Sequence, residues 1–410
     1  MKEEKDDPNN KPETTSSQVD IDSLTQKFQK FYKYFVDYYN NGEKMFENDK
    51  QNCQNLQIHS YQRNLLWFFL LDILPYNSPS NWEKILNEKR EEYKKIKEEY
   101  ITENINEFIY KKKEKDKFAD YFKFKEILSD EDYKLLDLIK IDVNRTFKFE
   151  TIFKEDSIEV NLINILFTCA KYKKDISYKQ GMSELCAMFL YVLYRDEKLS
   201  NNETNDDKDK LFYLIHSNNE QLESDTFILY LKFMEFGFYK FYKYTDEEYK
   251  DGELSEYSTK QLKSITEKKI LNSNESLLKK RIYLLYYTKF PKIDKELYEF
   301  MSEKLEPEIF MLKWYLCAFA REFPLHMVVH IWDLILLYNY NQKGNNNNDL
   351  DIFKFIDCIS LSMIIHIKTQ IMKKKNSSQL MAFLMKYPKD VNLIQICKLS
   401  INIFNQLYKK

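Results

Sequence analysis

Apolar residues recur at spacings of three and four along most of this chain, and period-two alternation is rare. That periodicity predicts helices, because positions i, i+3, i+4 and i+7 share one helical face. A first helix begins at Ile21, where Leu24, Phe28, Phe31, Phe35 and Tyr38 form one stripe, and Gly42 is expected to end it. Tyr61–Pro75 is apolar nearly all round and predicts a buried helix stopped at Pro75. Ser80 and Asn81 offer a cap for a charged helix reaching about Tyr100. Glu131–Val143 predicts another, with Leu135, Leu138 and Ile139 facing inward. Phe147, Phe149, Thr151 and Phe153 alternate, which suits a short extended segment. Val160–Tyr172, a turn at Lys173–Ile176, and Gly181–Tyr194, the most apolar helix, follow. Leu211–Phe238, Ser276–Phe290, Lys292–Lys304, Pro307–Arg321 and Leu325–Leu337 continue the series. Two or three more helices are expected between Ile352 and Tyr408. No Asn-Gly or Asp-Gly turn lies between clean alternating runs, so no β-hairpin is predicted. The expected fold is all-α, one large multi-helix domain with polar loop insertions.

The stretches without periodic apolar residues set the boundaries. Residues 1–20 read as a disordered leader, residues 21–57 as an N-terminal helical extension, and residues 58–410 as the main domain. Polar inserts are expected at 196–210 and 245–275, with a low-complexity loop at Asn345–Asn348.

Composition narrows the function classes. The 410 residues are 43% hydrophobic and 16% aromatic, enough for a large core. Charges of both signs are interspersed to a net −2, and the Lys111–Lys117 run is itself of mixed sign, so no nucleic-acid partner is expected. The six cysteines lie far apart with no Cys-x-x-Cys pair, which suggests reduced, buried thiols rather than a disulfide frame or zinc site. No signal core and no run near the ~20 apolar residues of a membrane span occurs, so a soluble, cytoplasmic protein is expected. The five glycines (Gly42, Gly181, Gly237, Gly252, Gly344) stand apart, whereas a phosphate-cradling loop needs several within a few residues. If this chain acts on phosphates, a partner carries them.

Candidate chemistry concentrates between Ile139 and Leu193. An arginine, Arg145, leaves the end of one helix in Ile139-x-x-Asp142-x-x-Arg145-Thr146, and a glutamine, Gln180, opens the next in Tyr178-x-Gln180-Gly181-Met182. Alone, Arg145 reads equally as a cation at a helix C-terminus, worth a few tenths of a kcal/mol. Gln180-Gly181 can be read as a plain helix start, though a polar glutamine opening so apolar a helix favours function. Tyr178, Trp67, Trp314 and Trp332 read as core, and Asp333 as the acceptor of a buried bond. His326 and His330 have zinc-helix spacing but no glutamate after the first and no third ligand, so both read as structural.

These blocks resemble the signatures of the TBC domain, the GTPase-activating module for Rab proteins. Arg63-x-x-x-Trp67 with Leu74-Pro75 is similar to that family's first block, and the Asp142/Arg145 and Tyr178/Gln180 motifs to its central ones. Trp314, Phe319, Arg321-Glu322-Phe323-Pro324-Leu325 and Trp332-Asp333 are similar to its last. The blocks stand in the family's order across roughly residues 58–385, and the detail is similar to the subgroup of TBC family member five, associated with endosomal trafficking. The resemblance implies a Rab-family small GTPase as partner, with Arg145 and Gln180 as two fingers supplied in trans. Asp142, Thr146, Tyr178 and Gly181 would support them. It implies no cofactor of the chain's own, since GTP and magnesium belong to the partner, and a cytoplasmic location, peripheral on endosomal or other vesicle membranes. The runner-up reading is a helical scaffold that binds a Rab or a trafficking coat without stimulating hydrolysis. Two departures mark the chain: Gln57-Ile58-His59 stands where the family often has Gly-Ile-Pro, and Lys148 where it often has proline.

Overall fold

The computed structural model describes residues 16–110, 127–194, 211, 215, 219–242, 275–341 and 353–408, and all regular structure among them is helical. The Lys111–Lys117 run, the 196–210 insert, the Asn345–Asn348 loop, nearly all of the 245–275 insert and most of the 1–20 leader lie outside the described residues.

Helix α1 spans Ser16–Asn55 and so begins ahead of Ile21. Gly42 does not end it. The axis kinks at Asn41 (φ −144°, ψ 51°) and the helix resumes. A Cβ on residue 42 would come 1.9 Å from the Tyr76 carbonyl oxygen, so glycine is required for that close approach. Phe46, just beyond, stacks on Tyr76 at 4.3 Å and locks the second segment down. Asn55 is followed by Leu56 in the left-handed region (φ 58°), with Gln57 N donating to Asn52 O (2.8 Å) and Leu56 N to Cys53 O (3.1 Å). This bond pair is the Schellman ending, usually built around glycine.

Helix α2 (Ser60–Leu70) ends the same way, around Asp72 (φ 60°), five residues before Pro75. Ile73 N donates to Phe68 O and Asp72 N to Phe69 O, both at 2.9 Å. The stop therefore belongs to the Asp72 turn and not to the proline. Helix α3 (Trp82–Tyr100) starts where expected, although the Asn81 side chain bonds Ser78 Oγ (2.8 Å) instead of capping the helix. A short α4 (Glu103–Tyr110) follows.

Helix α5 (Asp130–Val143) turns a different face inward from the one expected. Leu136 and Ile139 are buried, Leu135 is half-buried, and Leu138 is exposed. The expected extended segment after Arg145 is absent. Residues 144–150 form successive turns, and Ile152–Lys154 a short 3-10 helix. Bonds from Arg145 N to Asp142 O (3.1 Å), Thr146 N to Val143 O (3.0 Å) and Glu150 N to Phe147 O (2.9 Å) use the backbone donors that a strand would have offered.

Helices α6 (Asp156–Tyr172), α7 (Met182–Leu193) and α8 (Asn219–Glu235) complete the first half. Every residue of α7 except Tyr191 is buried, and α7 contacts α2, α5, α6 and α8. The helix opened by Gln180-Gly181 is thus the hub of the fold. Arg90 on α3 clasps Asp225 on α8 through two 2.7 Å bonds.

In the second half, α9 (Leu277–Leu284) passes through a π-helical turn, Leu285–Lys289, into Phe290–Ile293. Helices α10 (Lys295–Ser302), α11 (Glu308–Leu316) and α12 (Leu325–Tyr340) follow. Helix α11 stops five residues short of Arg321 in a third such ending, around Ala318 (φ 42°), with Phe319 N bonded to Trp314 O at 2.9 Å. Helices α13 (Phe353–His366), α14 (Ser377–Met385) and α15 (Leu393–Tyr408) close the chain, with one extra turn at Lys368–Ile371. Asp357 of α13 is fully buried and accepts from Arg281 (2.9 Å twice), Tyr315 (2.7 Å) and Tyr408 (3.0 Å), tying α9, α11 and α15 together.

Helix α12 joins the halves, packing on α1, α2 and α7 on one side and α13 on the other. Trp67 stacks on Trp332 at 5.9 Å, and Phe233 stacks on the same indole at 5.2 Å. All six cysteines are free and buried. No helix among the described residues is long and apolar enough to cross a membrane.

Candidate functional site

The C-terminal end of α5 and the N-terminal end of α7 meet through side chains from both central motifs. Asp142, in the last turn of α5, is buried. One of its oxygens takes the Arg145 Nη2 at 2.5 Å, and the other accepts the Tyr178 hydroxyl at 2.8 Å. Tyr178 is buried, and its phenol is pushed well above its ordinary range by burial first and the Asp142 charge second. It therefore stays protonated and donates. Arg145 itself is half exposed, with 49% of its side chain open. Asp142 holds only one edge of the guanidinium, leaving the rest of the fork toward solvent.

Gln180 lies two residues past Tyr178, in the turn just before α7. It is exposed, and its amide bonds nothing among the described residues. Gly181 caps α7 in the left-handed region (φ 104°). A Cβ there would meet Tyr242, Cys317 and Leu316 only at ordinary distances of 3.5–3.8 Å, so glycine is favoured by its φ and not by space. Thr146 is buried; its hydroxyl donates to the Asp142 carbonyl (2.8 Å) and lies 2.9 Å from Ser183 Oγ. Asp142, Arg145, Thr146 and Tyr178 are thus joined by hydrogen bonds, Gln180 and Gly181 follow two and three residues after Tyr178, and Arg145 and Gln180 are open to solvent.

Three residues that extend this network, Ser183, Glu184 and Arg321, were not among the candidate site residues. Ser183 donates to Glu184 Oε2 (3.0 Å), and Arg321 clasps Glu184 Oε1 through Nε (2.6 Å) and Nη2. This chain runs from Thr146 through α7 to the turn after α11. The signal for it was a carboxylate, Glu184, in the first turn of the most apolar helix, where a buried charge needs a partner. Nothing local points to Arg321, 137 residues away.

The two departures have structural answers. Lys148 donates to Phe153 O (2.6 Å) and pairs with Glu159 (3.0 Å), fixing the turn after Arg145 onto the start of α6. Phe147 beside it adopts a left-handed φ of 45° with its ring buried against Phe153 (5.6 Å). Such a conformation costs on the order of 1–3 kcal/mol and persists because packing imposes it. At Gln57-Ile58-His59, His59 N donates to Gln62 Oε1 (2.8 Å) and Ile58 O accepts from Arg63 Nη2 (2.9 Å).

Behind the site, the outermost blocks join. Arg63 Nε bonds both Asp333 oxygens (2.9 and 3.1 Å), and Trp67 Nε1 donates to the same carboxylate (2.8 Å). Arg63 Nη2, which also donates to Ile58 O, lies 3.0 Å from His330 Nδ1. Burial, then the Arg63 charge, holds His330 below its ordinary value, so the neutral ring accepts. His326 is exposed, and among the described residues no metal-holding group forms.

Comparison with known proteins gives this arrangement its family. The model of the Rab-GTPase-TBC domain matches residues 60–372, from the first residue of α2 past the end of α13. The chain belongs to the Rab-GTPase-TBC domain family. Its relatives include TBC1 domain family member 5 of Mus musculus, 24% identical over 377 residues, covering 86% of this chain and 42% of that protein. The Homo sapiens TBC1 domain family member 5 is also 24% identical, over 93% of this chain and 46% of its own length. The chain therefore spans less than half the length of these two relatives. GTPase-activating protein GYP1 of Saccharomyces cerevisiae is 24% identical over 68% of this chain and 35% of that protein. The crystal structure of the Ypt/Rab-GAP domain of Gyp1p shares the fold, with TM-score 0.60 and 21% identity over 89% of this chain and 94% of that one. The TBC-family blocks in this chain are the residues that hold α2 to α12 and α5 to α7.

Proposed function

We propose that this TBC domain accelerates GTP hydrolysis by a Rab-family small GTPase, with Arg145 and Gln180 entering the partner's site in trans. The observation that carries the reading is the pairing of an exposed Gln180 with a half-exposed Arg145, braced on one carboxylate that also binds Tyr178. Phosphoryl transfer to water spreads negative charge over the transferred oxygens, so catalysis is mostly positioning and charge stabilisation. A guanidinium is permanently charged and forked, and can bridge two of those oxygens. An amide donates and accepts at once, so Gln180 can hold the attacking water in line while contacting the phosphoryl group. GTP and magnesium arrive with the partner. Family membership and the likeness to GTPase-activating protein GYP1 support the partner class. A role in vesicle or endosomal trafficking, peripheral to those membranes, extends the same reading.

The test is phosphate release from a panel of GTP-loaded Rabs mixed with the purified chain. At least one should hydrolyse about a thousandfold or more faster than alone. Binding across the panel without any acceleration would instead establish the non-catalytic scaffold.

A further inference from the structure

Charge is interspersed along most of the chain, but not at its end. From Cys358 to Lys410 there are nine lysines and a single carboxylate, Asp390, although the whole chain is net −2. Lys368 is neutralised by Asp294 and Glu296. Lys373, Lys375, Lys386 and Lys389 are exposed and form no ion pair among the described residues. These four bracket α14, two before it and two after it.

Helix α14 is amphipathic in an unusual sense. Leu380 and Leu384 are fully buried and anchor it. The opposite stripe, Ser378, Met381, Ala382 and Met385, faces solvent at helical spacing and is apolar where a solvated helix carries charge. Met381 is 41% exposed and Met385 44%. The helix is not loose. Asn376 caps it through Gln379 N (3.0 Å), Lys313 donates to Met385 O (2.8 Å), and Tyr387 behind it bonds Met363 O (3.0 Å). Lys374 lies over the Phe383 ring at 4.1 Å, adding a cation to the rim.

We propose that the outer face of α14, with its flanking lysines, docks the protein on an anionic lipid surface. The cations of this patch are all lysines; protein–protein interfaces favour arginine and deplete lysine, whereas lysine clusters are attracted to acidic headgroups. The methionine stripe is flexible and short, suited to the headgroup–acyl boundary into which interfacial helices sink. Nucleic acid would want cations and stacking rings at the centre of the patch, where this one is aliphatic. Lys313 also pairs with Glu322 (3.0 Å), next to Arg321, so the docking helix is rigidly joined to the turn that braces Glu184 and the finger-bearing elements.

Flotation of the full chain with phosphatidylcholine vesicles, with and without phosphatidylserine, tests this independently of any GTPase. Binding should require phosphatidylserine and weaken as salt rises. Replacing Lys373, Lys375, Lys386 and Lys389 together by Gln should lower the bound fraction about tenfold or more. Met381→Gln with Met385→Gln should weaken binding at every salt concentration, because it removes the insertion and not the attraction. Both variants should keep the wild-type melting temperature and any GTPase activation measured in solution, since the replaced side chains are exposed. Should the lysine variant fold poorly, the phosphatidylserine and salt dependence of the wild type and the methionine variant decide the matter. Equal flotation with neutral vesicles, no flotation at low salt, or indifference to the methionine change overturns the proposal. So does capture of an acidic apolar peptide on the same residues while vesicles are ignored.

Discussion

Two arginine–aspartate pairs in this molecule have the same chemistry and opposite surroundings. Arg63 and Asp333 are both sealed, with 6% and 1% of their side chains exposed. Arg145 sits on an equally sealed Asp142 but is itself half open. Arg63 spends its fork inward, on Asp333, Ile58 O and His330. Arg145 spends one nitrogen and keeps the rest. A sealed pair with every partner in place serves the fold. A pair sealed on one side only leaves a cation presented to solvent, as the proposed role of Arg145 requires. Location in a motif does not separate the two, since both arginines lie in family blocks; exposure does.

The largest effect expected from this contrast is catalytic. Arg145→Ala should lower the GTPase-activating rate by about a thousand- to a hundred-thousandfold, with a melting temperature close to wild type. Arg145→Lys should fail nearly as badly, because an ammonium cannot reproduce the fork. Single-turnover hydrolysis beside a thermal melt checks both halves of the statement, and a large loss of stability would place Arg145 in the class of Arg63.

Arg63→Ala should do the reverse. It leaves Asp333 buried with the Trp67 bond as its one remaining hydrogen bond from a side chain among the described residues, so unfolding free energy should drop by roughly 3–5 kcal/mol in a urea titration. A change within about 0.5 kcal/mol would show that the buried pair holds nothing together.

A buried carboxylate with no ion pair among the described residues sharpens the comparison further. Asp49 accepts from Tyr34, Tyr38 (2.7 Å) and Gln62 (3.2 Å), and burial pushes it up to about 6 from an ordinary 3.8 despite those bonds. An acid raised in this way is protonated in the folded state while already ionised in the unfolded one. Its contribution to stability is therefore fully present below about pH 4 and is lost as pH rises to about 6, amounting to about 3 kcal/mol at most. Asp49→Asn should remove that slope, which urea midpoints of both proteins across this pH range would reveal.

The smallest effect concerns the brace on the open pair. Tyr178→Phe removes a neutral donor from Asp142 but keeps the ring in place. Activation should fall about ten- to a hundredfold, mostly in kcat, because the guanidinium loses its fixed orientation. A pure KM effect would mean that Tyr178 shapes the docking surface instead.

Much of this was legible in the sequence, for identifiable reasons. The helix pattern located α3, α6, α7 and α12 because each buries a continuous stripe of large side chains. The convergence of Asp142, Arg145, Thr146, Tyr178 and Gly181 followed from motifs at the ends of two such helices. The ends of α3, α5 and α6 fall where the pattern put them, whereas those of α1, α2 and α11 were not legible. With so few glycines, the left-handed positions of three Schellman endings fall on Leu56, Asp72 and Ala318. A reader looking for glycine or proline passes over them. The phenylalanines from 147 to 153 alternate as a strand would, but Phe147 buries its ring by turning left-handed. Arg321 and Glu184 are joined only by the fold. The basic surface around α14 was hidden by averaging charge over the whole chain.

The central claim is that Arg145 and Gln180 act together on one transition state. It is tested most directly by single-turnover GTP hydrolysis of a responsive Rab with Arg145→Ala, Gln180→Ala and the double variant. Each single change should remove most of the acceleration, all three proteins should still bind the GTP-loaded Rab, and the double should be little worse than either single. If Gln180→Ala retains near-normal activity while Arg145→Ala is inactive, the GTPase positions its own water and the two-finger account is contradicted.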